Sequence, residues 1–289
     1  MRRALRRFVS TLKGPKKILF FVVVLLVCVV ALCIGIYAQF FYKYSDTDAL
    51  MLGINIGAKK TEEEIAILKS NFNMLFDNSL KINSENVKVN KIDNSRDIVY
   101  GGYEYNNKDE NFFEVDAVIP ILNINTDEAK KINQEIKTEF YDKANLVMRT
   151  KQGHSVYSVA YCAFINEDVV SIAIKSSLKE NDKPEKVVVK TYTYAITSGQ
   201  RLSFEDIIKL KETTYDEVQN TINTDVQKAY TNAKIISETF GNLYERDLKS
   251  DMYKIENTEN YFLTQDGYVY IVYAYGNKDY TNEMDIIIF

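Results

Sequence analysis

Ser155-Val156-Tyr157-Ser158-Val159-Ala160-Tyr161-Cys162-Ala163-Phe164-Ile165, then Asn166-Glu167-Asp168, then Val169-Val170-Ser171-Ile172-Ala173-Ile174-Lys175-Ser176 is written as a β-hairpin. In its first arm Tyr157, Val159, Tyr161 and Ala163 alternate against Val156, Ser158, Ala160, Cys162 and Phe164. Side chains of a strand point to opposite faces in turn, so such alternation lays two distinct faces on a sheet. The polar Asn-Glu-Asp triplet supplies the turn, and Val170, Ile172 and Ile174 repeat the pattern on the way back.

Outward from this hairpin, strands and helices come in turn. Upstream, Val87–Ile92 and Ile98–Tyr105 read as strands, residues 106–111 as a polar turn, and Phe112–Ile121 as a strand closed by Pro120. Asn125 or Thr126 caps a helix over Asp127–Met148, with Ala129, Ile132, Ile136, Phe140 and Ala144 on one face. Downstream, Pro184-Glu185 opens a strand over Lys186–Ile196, and Ser198-Gly199-Gln200 turns the chain. Ser203 caps a short helix to Leu210, and Thr213 or Thr214 starts a longer one to about Ser237, with Val218, Ile222, Val226 and Tyr230 on one face. Tyr261–Leu263, the turn Gln265-Asp266-Gly267, Tyr268–Tyr275 and Met284–Phe289 complete the β sequence. Strands in meanders separated by single helices predict an α+β fold, with a mainly antiparallel sheet and helices packed on one face.

The N-terminal region sets a different constraint. Ile18–Tyr42 carries no charge, and a bilayer core takes roughly 20 apolar helical residues to cross. Arg2, Arg3, Arg6, Arg7, Lys13, Lys16 and Lys17 precede it, and retained positive charge orients the N-terminus to the cytoplasm. The run is too long for a cleaved signal peptide and ends in bulky residues. The expectation is a single-pass protein of the cell membrane with an extracellular C-terminal domain. The segments are a cytoplasmic basic tail (1–17), a transmembrane helix (18–42), a juxtamembrane helix region (43–84) and two modules (85–185 and 186–289) that share a sheet or dock tightly. Within the third segment, Ile65, Leu68, Phe72, Leu75 and Phe76 share a face of a helix over Lys59–Leu80, which suits a stalk, a dimer contact or a lid on the domain.

Of the 36 Lys and Arg and 40 Asp and Glu, the seven leading cations stay inside, so the exterior carries about −11. That balance disfavours nucleic acid and suits either solubility or a basic protein partner. Cys28 and Cys33 fall within the predicted span, which leaves Cys162 alone outside; it reads as a buried, inert thiol.

The residues Phe113-Glu114-Val115-Asp116-Ala117-Val118-Ile119-Pro120 with the helix Lys130-Lys131-Ile132-Asn133-Gln134-Glu135-Ile136 resemble the first module of a family of exported Gram-positive proteins. Thr191-Tyr192-Thr193-Tyr194-Ala195-Ile196-Thr197-Ser198-Gly199-Gln200-Arg201-Leu202-Ser203-Phe204-Glu205-Asp206 is similar to the opening of that family's second module. Tyr261–Tyr273 is similar to its closing hairpin. The family includes the lysozyme-sensing anti-sigma factor RsiV and the peptidoglycan deacetylase PdaC, and its modules are DUF4163- and DUF3298-like. The resemblance implies an extracytoplasmic binding or sensory module of the cell envelope, whose ligand is a protein such as lysozyme or a peptidoglycan fragment.

The residues themselves suggest no reaction, cofactor or metal. His154 is the single histidine, so a multi-histidine zinc site is excluded and any triad would hang on it. The carboxylate pairs Asp182/Glu185 and Glu205/Asp206 suit acid–base work or, for Asp206, a helix cap. Gly101-Gly102 lacks a phosphate-loop pattern. Tyr268 and Tyr270 share one strand face, and Tyr273 and Tyr275 the other. They are candidate ligand-binding aromatics if exposed, and core if packed against the Thr214–Ser237 helix. A non-catalytic binding module is the first expectation; a cell-wall hydrolase or its accessory, and a structural envelope protein, are the alternatives.

Overall fold

The β-hairpin at the centre of the sequence is also the centre of the fold. A computed structural model describes residues 62–77, 87–240 and 243–289. The basic tail and the apolar span 18–42 lie outside these residues; among the described residues no helix is long and apolar enough to cross a membrane. β3 (Ser155–Asn166) and β4 (Val169–Glu180) pair antiparallel along their whole length, four residues beyond the expected end at Ser176. β5 (Lys186–Ala195) lines the other side of β4.

β1 (Val99–Asp109) and β2 (Phe113–Leu122) form a second hairpin. The predicted polar turn is absorbed into it: Asn106, Asn107, Lys108 and Asp109 pair with Asp116 to Phe113, and only three residues turn. Pro120 sits where the register slips between Gly101 and Tyr103, beyond the end of the β2–β3 pairing, so its missing N–H costs no regular ladder bond. The strand expected at Val87–Ile92 does not form. The adjoining turn is held by the buried Asn123, whose amide accepts from the Asp93 N–H at 2.9 Å and donates to the Asp93 and Asp97 carbonyls.

β2 and β3 are parallel, and a helical crossover joins them. Its first part, α3 (Asp127–Ile136), starts at Thr126, whose hydroxyl accepts from Ala129 N–H. Asn133 ties it to the end of β2, donating to the Leu122 carbonyl at 2.9 Å and accepting from its N–H at 2.8 Å. A π-turn (Lys137–Tyr141) follows, then α4 (Asp142–Arg149). The predicted face (Ala129, Ile132, Ile136, Phe140 and Ala144) is fully buried. Each four-residue step overshoots a 3.6-residue turn by about 40°, so the stripe would drift off the sheet in an ideal helix. The wider π-turn, set among the last steps, absorbs that drift.

β6 (Gln200–Arg201) completes the order β1-β2-β3-β4-β5-β6. The remaining strands, β7 (Tyr261–Leu263), β8 (Val269–Ala274) and β9 (Met284–Ile288), make a separate antiparallel sheet. The expectation of one sheet with helices on one face is therefore corrected. The fold is mixed α+β with mainly antiparallel pairing, but two sheets lie face to face with helices on both outer faces. The α3–α4 crossover covers the outer face of the first sheet. α5 (Phe204–Leu210) and α6 (Tyr215–Phe240) cover that of the second through Ile207, Val218, Ile222 and Val226. Ser203 and Asp206 cap α5 reciprocally, as its sequence predicts. Between the sheets lie Cys162, Phe164, Ala173 and Val189 from one, and Phe262, Tyr270, Val272 and Ile288 from the other. α1 (Glu62–Ser70) and α2 (Met74–Asp77) close this layer with Phe72 and Phe76, and Lys69 pairs with Asp225 of α6 at 2.5 Å. This part of the predicted juxtamembrane helix thus packs on the domain.

The outer edge of β7 ends on side chains. Thr191 Oγ1 accepts from Tyr261 N–H at 2.7 Å, and Thr193 Oγ1 donates to the Tyr261 carbonyl at 3.2 Å. Ser171 Oγ accepts from Leu263 N–H at 3.0 Å. Removing a buried partner leaves a peptide group unsatisfied, at a cost of about 1–3 kcal/mol. Ser171→Ala and Thr193→Val should each lower unfolding free energy by roughly that amount in denaturant titrations. Leu146→Ala, at an exposed position on α4, should stay within about 0.5 kcal/mol of the parent.

Candidate functional site

A strand edge left unpaired beside charged side chains is the starting point for the site. β6 covers only Tyr194 and Ala195 of β5. At the other end, Val187 N–H donates to the Thr281 carbonyl at 3.0 Å. Gly276 presses on the same residue so closely that a Cβ there would lie 2.0 Å from the Val187 carbonyl oxygen. Between these closures Lys190–Thr193 floor a cleft of about 630 Å³. Gln134, Glu135, Thr138 and Glu139, from α3 and the π-turn, form one wall. Thr258, Glu259, Asn260 and Tyr261 form the other, and Arg201-Leu202 close the end.

The electrostatics of the cleft divide into a fixed part and an open part. Arg201 donates to Glu135 at 2.8 Å and lies 3.3 Å from Glu128, with its guanidinium 5.5 Å from the Tyr192 ring centre. Burial disfavours its charge, but the two carboxylates outweigh this and raise its pKa. Burial, reinforced by Glu135, raises that of Tyr192. Among the described residues Glu139, Glu259 and Lys190 take part in no ion pair. The cleft therefore presents both signs of charge, with hydroxyl and backbone groups between them, and suits a ligand that carries both signs and polar groups.

A second cluster spends its polar capacity on itself. Arg246 grips Asp285 with two hydrogen bonds of 2.6 and 2.8 Å and lies 3.5 Å from Glu283. Tyr275 donates to Asp285 at 2.5 Å, the Tyr253 and Tyr275 hydroxyls are 3.0 Å apart, and the Tyr244 ring stacks on Tyr275 at 4.2 Å. Burial and then the Asp285 charge raise the Tyr275 pKa far above its ordinary value. This is a structural clasp between β9 and the segment around Arg246.

The residues singled out from the sequence are scattered. Tyr268, Tyr270, Tyr273 and Tyr275 are 8, 2, 6 and 1 % exposed, so the proposed aromatic face is not a surface. The two-face reading holds, but a layer covers each face. Tyr268 and Tyr270 point to the other sheet, while Tyr273 and Tyr275 lie in the core beneath α5 and α6. The backbone of His154 is clasped by Asn181, and its ring makes no hydrogen bond among the described residues. Glu185 accepts from Ser177, Glu205 pairs with Lys209 at 2.8 Å, and Asp206 caps α5. Gly101 and Gly102 mark the β-bulge, where a Cβ on Gly102 would strike Ile121 at 2.2 Å. Glu139, Lys190 and Glu259 carried no local signal, and Arg201 stood only inside the quoted turn motif.

No family model matches the chain, and no curated protein matches it. Among solved structures it is similar to a DUF3298 family protein from Pseudomonas aeruginosa PAO1, at 14% identity over 65% of this chain and 84% of that one, with a TM-score of 0.37. It is also similar to a DUF3298 family member from Bacteroides fragilis NCTC 9343, at 10% identity over 56% of this chain and 74% of that one, with a TM-score of 0.27.

Two titrations follow from the burial of these groups. Burial pushes the Cys162 thiol up to about 12. A chain with Cys28→Ser and Cys33→Ser should therefore react with Ellman's reagent only after denaturation. Burial likewise raises Tyr253, Tyr261, Tyr270 and Tyr273 to about 12 from 10.0. The folded state favours the neutral phenol, so this stabilisation is intact below the unfolded value and lost as pH rises through the folded one. Melting temperature should hold steady up to pH about 10 and fall steeply toward pH 12.

Proposed function

We propose that this chain is a binding or sensory module held in the cell membrane by residues 18–42, with its folded domain outside a Gram-positive cell. It acts by recognition and without catalysis, and its ligand is a protein such as lysozyme or a peptidoglycan fragment. The observation that carries this reading is the cleft beside β5, whose volume of about 630 Å³ falls in the range of small-ligand sites. Its walls offer Glu139 and Glu259 opposite Lys190, and Arg201 is held ready between two carboxylates. A peptide loop or a muropeptide presents matching amines, carboxylates and amides. The acidic exterior favours encounter with a basic protein through long-range attraction. The resemblance to the exported Gram-positive family points the same way.

The test mixes the full chain in detergent with lysozyme and, separately, with soluble muropeptides, and follows the heat of binding. One of the two should give saturable heat, and Arg201→Ala or Lys190→Ala should weaken it by tenfold or more, a loss of about 1.4 kcal/mol. Heat of dilution alone with both would refute the ligand assignment. The membrane assignment has a separate check. In intact protoplasts added protease should degrade the domain and leave a short N-terminal fragment with the membrane; recovery of the whole chain from the medium would overturn it.

A further inference from the structure

The cleft beside β5 lies where the first sheet would carry one more strand. In an antiparallel ladder, successive residues turn their peptide groups to alternate sides. Val187 N–H donates to Thr281, and Thr193 C=O accepts from Leu202 N–H at 2.8 Å, both on the side away from β4. Val189 and Thr191, which alternate in step with them, also face outward, while Lys190 and Tyr192 turn to β4. β6 fills the outer position beside Tyr194 and Ala195. The Asn277 amide fills it beside Val189, donating to that carbonyl at 3.5 Å. At Thr191 the position is open. Among the described residues neither its N–H nor its C=O makes a hydrogen bond, and only its hydroxyl is engaged, by Tyr261.

The walls turn that opening into a slot in the plane of the sheet. Neighbouring side chains of a strand point to opposite faces. Tyr192 packs into the core beneath the crossover, and Thr191 points the other way, to Tyr261. Thr138 and Glu139 therefore stand over one face of the slot, and Thr258 and Glu259 over the other. Thr191 is half-buried and lines the floor between them, so its outward peptide groups open into the cleft.

We infer that the cleft takes an extended polypeptide segment, which adds to the edge of β5 as a short strand and carries neighbouring basic side chains. A residue of extended backbone offers an N–H and a C=O side by side, the complement of the pair that Thr191 presents. Successive side chains of such a strand reach opposite walls. Each wall holds a carboxylate outside any ion pair among the described residues, Glu139 on one and Glu259 on the other, so two neighbouring basic residues meet one each. Lys190, on the crossover side with Tyr192, is left for an acidic residue. This inference rests on the cleft being the binding site, and it makes polypeptide rather than glycan the thing bound.

Amide hydrogen exchange of the full chain in detergent, read by NMR, tests the geometry without any ligand. The Thr191 N–H should exchange roughly tenfold or more faster than those of Lys190 and Tyr192, which the ladder protects. The binding probes are N-acetylated pentapeptide amides with two adjacent lysines and a glutamate, in both orders, between valines. At least one should bind saturably in calorimetry and slow the Thr191 amide roughly tenfold or more. N-methylation scanned along that peptide should weaken it at alternate positions only, the signature of a strand. Glu139→Gln with Glu259→Gln, both on exposed side chains, should weaken it roughly tenfold or more, with melting curves confirming the fold. Strand addition is overturned by a Thr191 amide as slow as its neighbours in the free chain, by the absence of peptide binding, or by binding that leaves that amide unchanged. Heat from lysozyme or muropeptides with the Thr191 amide unmoved would keep the cleft as a binding site and remove only the added strand. If those titrations are also silent, the cleft assignment falls with it.

Discussion

Three hydroxyls set in the face of one sheet hold the edge of another, and the rest of the architecture depends on that join. A sheet edge buried against an apolar face would strand its peptide groups, at a cost no amount of packing around it removes. Ser171, Thr191 and Thr193 supply the missing partners while β4 and β5 stay paired with each other along this stretch. The second sheet can therefore end at β7 and still be buried. Because β7 stops there, the cleft beside β5 has a wall.

The surrounding layers follow from this join. With the two sheets face to face, each has one outer face to cover, and one helical set goes to each. The far edge of the second sheet is tied by ion pairing rather than by hydroxyls. Arg246 locks β9 to the segment that follows α6, and Tyr275 adds a hydrogen bond to the shared carboxylate. Replacing such a cluster by apolar side chains can be neutral for stability, so its presence speaks for register more than for strength.

The sequence was legible wherever one side-chain period repeated. The helix face from Ala129 to Ala144, the cap at Ser203 and the hairpin through Asn166 all rest on neighbours close in the chain. Partnership between elements was not legible. Phe164 and Phe262 each fall in a segment that reads as a strand, but nothing in either segment says that their rings stack against one another at 5.8 Å. Val87–Ile92 alternates like a strand, yet the side chain of Asn123, thirty residues on from Asp93, fixes the neighbouring backbone instead. The tyrosines of β8 showed their two faces correctly; their burial depended on a second sheet whose existence no local pattern encodes. The cleft was hidden for the same reason, since Arg201 and Glu135 are brought together only by the crossover.

Phe72 and Phe76 give the beginning of the domain a particular mechanical standing. They sit in the layer between the sheets, beside Phe262 and Tyr270, and not on an outer surface. Tension drawn along the chain toward Glu62 would thus be delivered to the inter-sheet packing once the ion pairs of Glu62 and Lys69 with Lys228 and Asp225 of α6 had given way. A pull at that end would work on the domain like a wedge being withdrawn, loosening the two halves of the sandwich together instead of peeling one strand at a time.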